Sequence, residues 1–279
     1  MSKLIVSLTT IPSRVPYLSG TVNSLLAQNT RPDAIEINVP RTYRRPEFGT
    51  LDPAGLPDGL DVHVIESDYG PATKILPTVE RYRDQDALLV YCDDDYTYDP
   101  DWLTRLTETS ARHPDAVIAD RWRSTLKWES LERWKGKGSA YKMRRALSLG
   151  QWRPLRAGGY VPDIAEGMGG VLIKPRFVDE TAFDIPDVLW TVDDVWLSGI
   201  YLKNGHPIVP TGVDWREIEN SAVVDGTAVR NIDALCDYEF GGFNRMAANL
   251  ECVSYMRDRF GVFSGGRSLR WQDRFFGIS

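Results

Sequence analysis

The sequence predicts an open, doubly wound α/β sheet, mostly parallel, with helices on both faces. Two observations carry this fold class. Short aliphatic, β-branched runs of strand length recur through the first third of the chain, and the stretches between them space their apolar residues at helical intervals. Alternation of the two kinds of segment is the pattern of parallel strands joined by crossover helices.

Leu4-Ile5-Val6-Ser7-Leu8 is the first strand, stopped by Thr9-Thr10-Ile11-Pro12. Leu18, Val22, Leu25 and Leu26 mark a helix after Pro16, and Ala34-Ile35-Glu36-Ile37-Asn38-Val39 alternates like a second strand. Val62-His63-Val64-Ile65 supplies a third. A helix from about Ala72 to Tyr82, with Ile75, Leu76 and Val79 inward, leads to a fourth strand from Ala87 to Tyr91. Pro100 then opens another helix, with Asp99 expected as its N-cap. Later, Gly169-Gly170 begins a strand over Val171-Leu172-Ile173, Asp193 to Lys203 reads as a helix, and Ile208-Val209 returns to the sheet edge. A C-terminal helical segment covers about 243–260. No internal repeat or low-complexity linker occurs, so the expectation is one domain over 1–279 carrying an insertion at about 121–153.

Composition excludes several classes. With 279 residues, 42% hydrophobic and 26% charged, the chain can bury a large core and is not disordered. Its longest apolar run, Ala87 to Cys92, is far short of the roughly 18 residues of a membrane span. The N-terminus turns polar within a few residues, so no signal peptide is expected. Cys92, Cys236 and Cys252 are too few and scattered for a disulfide framework. A cytoplasmic location is therefore expected, with peripheral membrane contact allowed. The net charge of −6 is unevenly spread: Arg121 to Arg153 carries +8, leaving −14 elsewhere. This balance, together with the acidic motifs below, argues against nucleic acid as a partner.

In a doubly wound sheet, ligands bind beyond the carboxyl ends of the strands. No dinucleotide glycine fingerprint or Walker lysine loop occupies those loops. Asp93-Asp94-Asp95 follows a hydrophobic strand directly, and three adjacent carboxylates repel unless a cation screens them. Hard cations such as Mg²⁺ or Mn²⁺ are commonly held by one or two carboxylates, with substrate phosphates completing the shell. The alternative is an acidic turn before the next helix. Asp193-Asp194 opens a later helix, where Thr191-Val192-Asp193-Asp194 also fits a local capping box. His63, His113 and His206 read as structural.

Taken together, Val6 to Arg14, Tyr69-Gly70-Pro71-Ala72-Thr73-Lys74, Val90 to Asp95 with Pro100-Asp101-Trp102-Leu103, and Val192-Asp193-Asp194-Val195-Trp196-Leu197 resemble the GT-A glycosyltransferases, most closely those like family 2. The match spans residue 4 to about 210. The resemblance implies a nucleotide-sugar donor, UDP-sugars favoured, and a D-x-D motif holding Mn²⁺ or Mg²⁺ on Asp93 and Asp95. It implies an acidic catalytic residue at the later helix: Asp194 as base, with Asp193 beside it where relatives carry Glu. That change leaves the choice within the pair open. Thr9, Arg14, Asp68, Lys74 and Asp94 are the expected donor contacts; for Lys74 and Asp68 the alternatives are a solvated lysine and a turn residue. Inversion at the anomeric carbon is the expected outcome. Trp122, Arg144, Arg145 and Trp152 of the basic, Trp-rich segment are the expected acceptor wall, facing a glycan or glycolipid; the alternative is tryptophans packed into the core beneath a solvated basic face. A sugar-phosphate nucleotidyltransferase is disfavoured because Thr9 to Arg14 has no glycine, and a non-catalytic carbohydrate-binding protein because both acidic motifs are intact.

Overall fold

A computed structural model describes residues 2–126, 161–214, 222–224, 227–235, 238–239, 242 and 244–263. A seven-stranded sheet organises them, with spatial order β3-β2-β1-β4-β8-β5-β9. These strands are β1 (Lys3–Leu8), β2 (Ala34–Pro40), β3 (Asp61–Ile65), β4 (Ala87–Tyr91), β5 (Val117–Ala119), β8 (Val171–Ile173) and β9 (Ile208–Pro210). Two short pairs stand apart: β6 (Trp122–Arg123) with β7 (Ile164–Ala165), and β10 (Val223–Val224) with β11 (Thr227–Ala228). β1 runs parallel to both β2 and β4, placing Val6 opposite Ile35 and Val90. β8 is antiparallel to β4 and to β5. The sheet is therefore mostly parallel, as the alternation predicts, with one reversed strand near its centre.

Strand periodicity divides the core in two. Leu4, Val6, Leu8, Ile35, Ile37, Val39 and Val90 meet α1 (Ser19–Leu26) and α3 (Trp102–Arg112) through Val22, Leu25, Leu103 and Leu106. On the opposite face, Ile5, Leu89 and Tyr91 meet α2 (Leu76–Arg81), α4 (Asp193–Lys203) and α5 (Arg245–Phe260) through Val79, Ile200, Cys252 and Met256. Among the described residues, no helix is long and apolar enough to cross a membrane.

Three local expectations need correction. The helix expected from Ala72 splits into a 3-10 turn over Gly70–Lys74 and an α-helix beginning at Leu76, because Gly70 has φ +61° and Pro71 and Pro77 interrupt the backbone bonding. Pro100 does not open α3, which starts at Trp102. Both Asp99 oxygens pair with Arg105, and Oδ1 also accepts from Asp101 N–H, so Asp99 braces the turn instead of capping the helix. The strand Val117–Ala119, three residues long and without alternation, is absent from the sequence reading. The histidines are placed as expected. His63 is half-buried on β3, His113 is the C-cap of α3, and His206 stacks on Phe177.

Candidate active site

A cavity of about 910 Å³ opens beyond the carboxyl ends of β1, β2 and β4, within the size range of small-molecule sites. Its lining includes Thr9, Arg14, Asp68, Lys74, Asp93, Asp94, Asp95, Asp193 and Asp194, so every expected catalytic, donor and metal residue reaches one space. The two acidic motifs, a hundred residues apart in the chain, face each other there. β8 explains how. Because it runs opposite to β4, the loop that precedes it, Glu166 to Gly170, lies at the same rim as the loop that follows β4.

Lys74 joins the motifs. Its ammonium lies 2.5 Å from Asp93 Oδ1 and 2.8 Å from Asp193 Oδ2, and the residue is 4% exposed. Burial disfavours the ammonium, but Asp193 and Asp93 outweigh that and hold the Lys74 pKa well above its usual value. The carbonyl of Lys74 accepts from Ser7 Oγ on β1 at 2.6 Å, which ties the 3-10 turn to the sheet. The solvated-lysine alternative does not hold.

Arg14 works in the same way on the other side of the triad. Its Nη1 is 2.7 Å from Asp94 Oδ1 and 3.2 Å from Asp95 Oδ2, and its Nε donates to the Ile232 carbonyl. Asp94 also accepts from Thr10 Oγ1 at 2.6 Å, so both of its oxygens are engaged within the protein. Asp95 differs: its Oδ1 is buried with no hydrogen-bond partner. Burial, reinforced by Asp94 and Asp93, pushes the Asp95 carboxyl up to about 7. Asp93 is the most open of the three, its side chain a third exposed.

Asp194 Oδ1 accepts the Gly167 N–H at 2.8 Å. Burial and the neighbouring Asp193 push its carboxyl up to about 7, against the pull of Lys74. The N-cap of α4 is Val192 with no side-chain cap bond, so the capping-box alternative is not formed. Both carboxylates are instead committed to the cavity wall.

Asp68 lines the cavity while serving its turn. Oδ1 accepts from Gly70 N–H and Thr73 Oγ1, and Oδ2 from Arg44 N–H. Thr9 Oγ1 donates to the Asn38 carbonyl. Of the expected acceptor wall, Trp122 lies half-buried in β6, and Arg144, Arg145 and Trp152 lie outside the described residues.

Sequence reasoning missed Thr10, Glu166 and Gly167. Glu166 is buried and pairs with Arg121 at 2.5 Å and with Arg123. The loop is fixed by Trp102 Nε1, which donates to the Gly169 carbonyl at 2.9 Å, and by Tyr98, whose hydroxyl lies 3.3 Å from the Asp93 and Met168 carbonyls. Gly170 has φ +89°, and a Cβ there would run into the Trp102 indole. The available signal was the glycine density of Gly167-Met168-Gly169-Gly170 just before a strand.

No family model matches the chain, and no curated protein matches it. Among solved structures, the chain is similar to S. aureus TarS in complex with UDP-GlcNAc, at 14% identity and TM-score 0.47 over 82% of this chain and 61% of that one. It is similar to the mannosyltransferase PcManGT from Pyrobaculum calidifontis in complex with GDP-Man and Mn²⁺, at 16% identity and TM-score 0.47 over 81% of this chain and 58% of that one. A mycobacterial protein is matched at 11% identity and TM-score 0.47, over 94% of this chain and 75% of the other. The chain thus spans less than two thirds of the TarS and PcManGT chains in those two complexes.

Proposed function

We propose that the chain is a glycosyltransferase of the GT-A type, moving a sugar from a nucleoside-diphosphate donor to an acceptor hydroxyl with Asp194 as base. The observation that carries this reading is the convergence of Asp93-Asp94-Asp95 and Asp193-Asp194 on one cavity, cross-linked by the buried Lys74.

The donor set suits a hard divalent ion. Asp95 Oδ1 is a buried carboxylate oxygen without a partner, and Asp93 opens to the cavity two residues away. Among the described residues, no group of three or more His, Cys, Asp or Glu side chains is arranged to hold a metal. Asp93 and Asp95 would therefore share the ion with donor phosphates and water, the usual arrangement for Mg²⁺ and Mn²⁺ at phosphate substrates. Bound there, Mn²⁺ or Mg²⁺ supplies positive charge to the departing nucleoside diphosphate.

The chain's own residues do the rest. The acceptor hydroxyl must lose its proton as it attacks the anomeric carbon, and Asp194, whose proton affinity is raised toward neutrality, is matched to receive it. Attack from the side opposite the leaving diphosphate inverts the anomeric centre. Lys74 places a fixed cation between the donor-side and acceptor-side carboxylates. Arg14 and Thr10 lock Asp94, which keeps the turn between Asp93 and Asp95 rigid. Trp122, Arg144, Arg145 and Trp152 would face a glycan or glycolipid acceptor.

Thermal unfolding with nucleoside diphosphates, with and without Mn²⁺, tests the reading. A ligand at 100 times its Kd stabilises the fold by about 2.7 kcal/mol. The expected result is an upward Tm shift from the nucleotide that depends on the metal and vanishes in Asp95→Ala. No shift from any nucleoside diphosphate under either condition would remove the donor site.

A further inference from the structure

Gly167 lies where the donor-side and acceptor-side carboxylates meet. Its N–H donates to Asp194 Oδ1 at 2.8 Å. On its other side, a Cβ added at Gly167 would stand 2.5 Å from Lys74 Nζ, 3.1 Å from Lys74 Cε and 3.3 Å from Asp93 Oδ1. Its φ is not positive, so the backbone does not demand glycine. What demands it is the space filled by the lysine.

That space matters because the ammonium is held at closely set distances from two acids. Taking an ammonium out of water is costly, and the cost is recovered only where the opposing charges sit close and well placed. Asp193 is buried at 3% exposure, so moving Lys74 away leaves it without its counter-charge. The loop carrying Gly167 is held by Trp102 and Tyr98, which limits how far it can retreat.

We propose that Gly167 is a positioning residue of this site: its N–H sets Asp194, and its missing side chain admits the Lys74 ammonium that cross-links Asp93 to Asp193. The inference rests on the transferase reading in assigning Asp194 the proton transfer. Its geometry is independent of that reading.

Gly167→Ala, Lys74→Met and the double variant test it. A new Cβ at 167 presses on the flexible end of Lys74 and not on backbone, so Gly167→Ala is expected to fold, with Tm lowered by no more than Lys74→Met lowers it. Its kcat should fall about tenfold or more, as misplacement of reacting groups by a fraction of an ångström allows, while donor KM stays within about threefold. Removing the lysine end makes room for the Cβ, so the double variant should be no slower than Lys74→Met alone, which is strong non-additivity. A readout apart from activity is the ¹⁵N signal of the Lys74 ammonium, assigned by its loss in Lys74→Met. It should exchange slowly in wild type and broaden or vanish in Gly167→Ala.

Wild-type kcat in Gly167→Ala, additive losses in the double variant, or an unchanged ammonium signal would each overturn the inference. If wild type transfers no sugar from any donor, the transferase reading fails, and the ammonium signal and the Tm values still decide the geometry.

Discussion

Replacing Arg14 by methionine removes a guanidinium held between Asp94 and Asp95 while keeping much of its apolar stem. Arg14 Nη1 lies 2.7 Å from one carboxylate and 3.2 Å from the other, and both aspartates are buried. After the change Asp94 keeps only the Thr10 hydroxyl, and Asp95 loses its cation while its Oδ1 already has no partner. Breaking a buried ion pair from one side costs about 3–5 kcal/mol. At roughly 2–4 °C per kcal/mol for chains approaching this size, Tm should fall by about 6–20 °C at pH 8. The sign of the pH dependence follows from Asp95. Its folded carboxyl is raised to about 7, so the folded protein binds more protons than the unfolded chain between about pH 4 and 7, and stability falls as pH rises through that window. At pH 5.5 Asp95 is protonated with or without Arg14, and only the Asp94 pair is lost. At pH 8 the variant can also avoid the charge by keeping the proton, which limits the extra loss to about 1.4 kcal/mol, the free energy of the single unit above 7. Thermal unfolding of both proteins at pH 5.5 and 8.0 measures this directly. A Tm decrease under about 3 °C at pH 8, or a larger loss at pH 5.5 than at pH 8, would show that Arg14 is not the counter-charge that Asp94 and Asp95 depend on.

Other outcomes follow from the same geometry. Asp194→Asn keeps an oxygen able to accept the Gly167 N–H, so it should fold normally, bind donor within a few-fold of wild type, and lose roughly 100-fold or more in rate; if Asp193→Asn is inactive and Asp194→Asn active, the roles are exchanged. With a base whose carboxyl is raised to about 7, kcat/KM should rise with pH and reach only roughly a tenth of its plateau at pH 6, whereas a flat profile from pH 5.5 to 8 would exclude Asp194 as the titrating base. Gly170→Ala combines an unfavourable φ of +89° with a collision at the Trp102 indole, so it should lower stability by about 2 kcal/mol or more in a denaturant titration, and a loss under about 0.5 kcal/mol would show that the loop relaxes freely.

The interior strands β1 and β4 were legible because each turns its residues alternately to two helix layers, as Leu4, Val6 and Leu8 do against Ile5. Asp93-Asp94-Asp95 and Asp193-Asp194 were legible because charges placed immediately beside buried runs need a partner or a ligand. Val117-Ile118-Ala119 was not, since three residues give too little alternation to register as a strand. The role of Gly167 was hidden for a topological reason. The rule that sites lie beyond strand carboxyl ends directs attention to loops after strands, and only the antiparallel course of β8 brings the loop before it to that rim. The partners of Lys74 were equally hidden, because Asp93 and Asp193 converge only through the pairing of β4 with β8 and the placement of α4. The split of the helix near Lys74 was written in Gly70, Pro71 and Pro77, but spacing alone gave those residues too little weight.

Metal-assisted sugar transfer with Asp194 as base is tested most directly by nucleoside diphosphate release from a panel of UDP- and GDP-sugars by the purified protein. Release is expected in Mn²⁺ or Mg²⁺, should stop in excess chelator and return when the metal is restored, and should be lost in Asp194→Asn and in Asp95→Ala. Release undiminished by chelator, or equal in wild type and Asp194→Asn, would contradict it.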